Sequence, residues 1–226
     1  MVVSALLTLL PSGPQAQGAI ITQYQTLGSV NAVSAGNALP ATLTDPRVTA
    51  GPLSFVGLTP SGFAGYRASG WTSNATPDLG QYLSFSVDPT GFIMVLDTLQ
   101  YRIQPGDQTN VNISLRGPAT WQVRTSLDGF STALATISSS VGNPSFTWTI
   151  DVSSLGFIST PVEFRLYGYE GGQNSAGIGV ISPWITLNGT VLPEPGTIVG
   201  ATLVTLIGAG LIARRRRRSD DSDVNR

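Results

Sequence analysis

Phe146-Thr147-Trp148-Thr149-Ile150-Asp151-Val152 alternates apolar and polar side chains without a break. That is the mark of a strand with one face buried and the other solvated. The same period of two recurs on both sides of it. Leu83, Phe85 and Val87 alternate with serines, Leu99, Tyr101 and Ile103 with Gln100 and Arg102, and Val111, Ile113 and Leu115 with Asn112 and Ser114. Trp121, Val123 and Thr125 form another row, Val162, Phe164 and Leu166 a sixth, and Ile185 and Leu187 the last.

Between the rows stand turn-forming groups such as Asp88-Pro89-Thr90-Gly91, Gly117-Pro118, Asp128-Gly129 and Gly142-Asn143-Pro144. Seven or more short strands punctuated in this way predict an all-β fold, an antiparallel β-sandwich or jelly roll. Residues 34–52, rich in Ala, Thr, Pro and Gly, read as a long loop.

The two ends of the chain read differently. Val2–Leu10 is apolar and is followed by Pro11-Ser12-Gly13-Pro14 and then Ala16-Gln17-Gly18. This is the order of a secretory signal over residues 1–18, with a cut before Ala19, although no basic residue precedes the apolar run. At the other end Thr197–Ala213 is 17 uncharged residues, closed by Arg214, Arg215, Arg216, Arg217 and Arg218. As a helix it would reach about 25 Å, the short edge of a membrane span, with the arginines holding its end in the cytoplasm. Residues 219–226 form a polar cytoplasmic tail.

The order Pro193-Glu194-Pro195, apolar span, arginine cluster over residues 193–218 resembles the PEP-CTERM sorting signal of Gram-negative bacteria. The resemblance implies recognition by an exosortase that cuts near Pro193–Pro195. It also implies an inner-membrane intermediate, and release to the cell surface or extracellular matrix. Leu192-Pro193-Glu194-Pro195-Gly196 is similar as well to the Leu-Pro-x-Thr-Gly sortase signal. There, proline stands in place of threonine and removes a backbone N–H. A second resemblance covers about residues 70–190. Gly70-Trp71, Tyr82-Leu83-Ser84-Phe85, Ser126-Leu127-Asp128-Gly129-Phe130 and Phe164-Arg165-Leu166-Tyr167-Gly168-Tyr169 together look like an exported PEP-CTERM passenger domain. It is similar in outline to jelly-roll modules that bind carbohydrate.

The span between the two ends, 19–192, carries nine carboxylates against six arginines, a net charge of −3. It offers no basic face for nucleic acid. The chain has no lysine, histidine or cysteine. Disulfides are therefore impossible, and so are Ser–His–Asp and Cys–His catalysis. The usual zinc and haem ligands are missing too. A non-catalytic exported domain with no cofactor is the reading that follows.

Two rivals stay open. One is a glycoside hydrolase built on two carboxylates, although Asp88, Asp128, Asp151 and Glu163 fall in turns or on outward strand positions. The other is a permanently anchored type I envelope protein whose sandwich binds glycan or adheres through calcium, with Asp78, Asp88 and Asp128 as ligands from separate loops. For sugar recognition the expected platforms are Trp71, Tyr167 and Tyr169, with Glu170 beside them.

Overall fold

The computed structural model describes residues 18–25, 31–62, 65–105, 117–138, 146–170 and 179–194. The expected strand over 111–115, residues 1–17 of the signal, Pro195, the span 197–213 and the arginines 214–218 lie outside them. Within them the chain is built of strands: β1 (Ala19–Gln25), β2 (Leu43–Thr44), β3 (Thr49–Ala50), β4 (Ser54–Val56) and β5 (Thr59–Pro60). There follow β6 (Ala68–Ser69), β7 (Tyr82–Asp88), β8 (Phe92–Pro105), β9 (Thr120–Thr125) and β10 (Ala135–Ser138). The last four are β11 (Phe146–Asp151), β12 (Phe157–Ile158), β13 (Val162–Tyr169) and β14 (Gly179–Pro193). Only short 3-10 turns, Ser126–Asp128 and Ser153–Leu155, interrupt this pattern among the described residues.

Two antiparallel sheets face each other. The first runs β11-β8-β14-β1-β2, with β12 also on β8; the second runs β10-β9-β13-β7-β3, with β4 also on β7. Their inner faces are the rows read from the alternation: Leu83, Phe85 and Val87, Trp121 and Val123, Val162, Phe164 and Leu166, Ile185 and Leu187 are all buried. Tyr24 of the first sheet packs on Phe85 of the second at 5.3 Å between ring centroids, and Phe85 stacks on Phe164 at 5.1 Å. In β11 Ile150 is buried, whereas Trp148 is half-buried with its ring edge-on to Tyr101. Residues 34–52 are mostly connection, as expected, with β2 and β3 giving it two short anchors.

β1 has no counterpart in the sequence reading. A bulge between Ile20 and Thr22, with Ile21 and Thr22 both buried, breaks its alternation and hides the period. It pairs with β14 from Ala19↔Gly189 to Gln25↔Trp184. The start of the first described strand and the end of the last therefore share one pole of the sandwich.

Candidate functional site

Of the aromatics expected as sugar platforms, none presents a free face. Trp71 is 2% exposed. Its indole donates to the Ala68 carbonyl at 3.1 Å and its ring meets Trp121 and Phe55 edge-on. It belongs to the core, which alternation does not reveal because Gly70-Trp71 sits outside any alternating run. Tyr167 does lie on the outward row of β13, yet it is buried, covered by its neighbours. Tyr82 packs on it at 5.4 Å and the Arg124 guanidinium lies 5.6 Å from its centroid. Tyr169 is buried too, with its hydroxyl near Gln122.

The covering layer is organised by Arg165. Its guanidinium sits 3.6 Å from the centroid of Phe130 and 4.3 Å from that of Tyr82, and it pairs with Glu163 at 2.8 Å. Cation–π stacking of this kind occupies the aromatic faces a pyranose would need. Phe130 reaches this position through a left-handed backbone (φ 62), with its carbonyl accepting from Arg124 at 2.9 Å. Glu170 is exposed, also left-handed (φ 59), and its carboxylate accepts from the Thr120 hydroxyl.

The proposed calcium ligands do not converge. Asp78 accepts from Gly80, Asp88 from Thr90 and Asp128 from Ser131 and Thr132, each within its own turn, and all of β7 lies between Asp78 and Asp88. Hydrogen bonds from Ser131 and Thr132 outweigh desolvation and hold the Asp128 carboxyl below its usual range. Among the described residues no three acidic side chains gather as a metal site would require.

Among the described residues a concave feature lies on the other sheet. Across the outer face of the first sheet one cross-strand row runs Thr149, Gln100, Thr186, Gln23, and the next runs Asp151, Thr98, Asn188, Ile20. Gln23 Nε2 donates to Thr186 Oγ1 at 3.0 Å, and Asn188 Nδ2 to Thr98 Oγ1 at 3.1 Å. These bonds fix the amides, and Thr186 and Asn188 become a nearly buried floor at 4% and 5% exposure. Together with Gly18, Ala19 and Ile20 the four residues Gln23, Gln100, Thr186 and Asn188 line a depression of about 430 Å3. No side chain in that lining is charged. Amides and hydroxyls each donate and accept, so the surface matches a ligand with the same dual character.

The sequence contained part of this signal. Gln100 alternates with Leu99 and Tyr101, and Thr186 and Asn188 flank Leu187. What could not be read was the register that sets them side by side, or Gln23 on the unforeseen β1. The chain matches no protein-family model, and no curated protein matches it significantly.

Proposed function

We propose that the chain is an exported, non-catalytic protein of the cell surface or extracellular matrix. Its sandwich meets a neutral, hydroxyl-rich polysaccharide at the depression on the first sheet. The observation that carries the reading is the set of neutral side chains, Gln23, Gln100, Thr186 and Asn188, with the Gln23 and Asn188 amides fixed by hydrogen bonds. Sugar hydroxyls exchange donors and acceptors with such groups without the desolvation cost of a charge. A jelly-roll kinship of the sandwich belongs to the same proposal.

Export and sorting rest on the two chain ends. A leader ends at Gly18, and the Pro193-Glu194-Pro195 motif precedes an apolar segment and the arginine cluster. The end of β14 is what supports processing there. β14 closes at Pro193, opposite Phe92, and Pro193 and Glu194 are exposed, so an exosortase cut at the motif leaves the β8–β14 ladder whole. Anchoring by residues 197–213 is then a stage on the way to the surface of a Gram-negative-type cell.

The test combines two measurements on protein released from producing cells. Mass spectrometry is expected to place the C-terminus near Pro193–Gly196; intact chain to Arg226, found only in membranes, would favour a permanent type I anchor instead. Pull-down on neutral and acidic polysaccharides is expected to retain the protein on neutral ones, and the Gln23→Ala, Gln100→Ala double variant is expected to lose that retention. Silence on every glycan would reduce the domain to a scaffold.

A further inference from the structure

At the pole where β1 begins, β8 carries an irregularity. Thr98 pairs with Asn188 and Leu96 with Gly189, so Asp97 is the extra residue, and its carbonyl accepts from Val152 instead. A bulged residue is re-aimed relative to its strand. Asp97 reaches across β14 at Gly189, where no side chain blocks it, and meets the backbone of Gly18. A methyl group added at Gly18 would collide with Asp97 Oδ2, and one added at Gly189 would collide with the Val95 carbonyl. Ordinary bond lengths then put that oxygen no more than about 6 Å from the Ala19 nitrogen. The carboxylate is partly buried, with no hydrogen bond or ion pair among the described residues.

We infer that Asp97 is the built-in partner of a new amino terminus at Ala19. The inference rests on the export reading, in which the leader is removed. Hydrolysis adds one water across the Gly18–Ala19 peptide. Gly18 departs as the leader's carboxylate, and the Ala19 nitrogen takes up protons to become an ammonium. An ammonium within that distance of an unpaired carboxylate is held in its charged form. The other charged groups on elements packed around this pole are already engaged or point away. Asp45 and Arg47 pair with each other at 2.7 Å, Asp151 accepts from Ser153, and Glu194 is exposed beyond β14. Leader removal thus closes a link between β1 and β8 across β14, and the link is absent from the uncut chain.

The chain has no lysine, so the mature protein contains a single amine, and acylation reads it directly. Protein processed by its producing cells is sequenced from its N-terminus and then acylated over a pH series, folded and in urea. Ala19 is expected as the first residue. Its amine is expected to titrate at least about one unit above the usual 7.7–8.0, which makes acylation near pH 8 at least about four- to fivefold slower than in urea. Asp97→Asn is expected to restore the urea rate in folded protein. Asp97→Ser gives the same restoration, should the Asn variant fail to fold. A folded protein that begins at Ala19 and acylates at the urea rate overturns the pair and leaves export standing. A different first residue overturns the processing on which the pair depends.

Discussion

Gly168→Ala is the sharpest test of the packing between the sheets. Gly168 sits on the inward row of β13, opposite Trp121. A Cβ built there would lie 2.6 Å from Pro118 Cγ, 2.9 Å from Pro118 Cβ and 2.9 Å from Trp71 Cε3. None of these neighbours can give way cheaply. The proline ring is rigid, and Trp71 is held by its bond to Ala68 and by the edge-on packing of Trp121 at 4.9 Å. Overpacking of this kind costs about 1–3 kcal/mol. Alanine recovers about 0.5–1 kcal/mol of that, because glycine loses more backbone freedom on folding. A net loss of about 1–2 kcal/mol is expected, which lowers Tm by about 2–8 °C in a domain of this size. Urea unfolding followed by tryptophan fluorescence measures it. Gly62→Ala is the control, since nothing lies within 4 Å of its added carbon, and it should fall within about 0.5 kcal/mol of the parent. Equal or greater stability for Gly168→Ala would refute the claim that glycine is needed beneath the indole.

Burial holds the phenols of Tyr24 and Tyr101 protonated well above the usual value of 10.0, and pushes Tyr66 up to about 12. The unfolded chain releases these protons first, so their contribution is complete below pH 10 and is lost as pH rises beyond it. Absorbance at 295 nm is expected to show these tyrosines ionising together with alkaline unfolding, not before it. Tyr101→Phe removes a buried hydroxyl that has no partner among the described residues, and should leave urea stability unchanged or up to about 1 kcal/mol higher. Tyr66→Phe loses a 2.6 Å bond to the Leu53 carbonyl and should cost about 1 kcal/mol. Arg165→Ala uncovers Tyr82 and Phe130 and unpairs Glu163, for an expected loss of about 1–2 kcal/mol, and Arg165→Lys should recover only part because an ammonium cannot stack.

Strand rows were legible wherever one face of a strand meets the core and the other meets water. β7, β9, β11 and β13 obey that rule, so Phe85, Val123, Ile150 and Phe164 could be placed in the core from alternation alone. Alternation fails where a bulge doubles a residue, which is why β1 was missed. It also cannot report what covers an outward side chain. Tyr167 occupies the outward position its spacing assigns and is still only 1% exposed, because Arg124 and Tyr82 lie over it. Cross-strand register is a property of paired chains, and Gln23, Thr186 and Gln100 become one row only through it.

The shared pole of β1 and β14 has a mechanical consequence. Any pull applied at Pro193 enters the sandwich through β14, which is paired along one edge with β8 and along the other with β1. A load along the strand shears both antiparallel ladders at once and does not open them one hydrogen bond at a time.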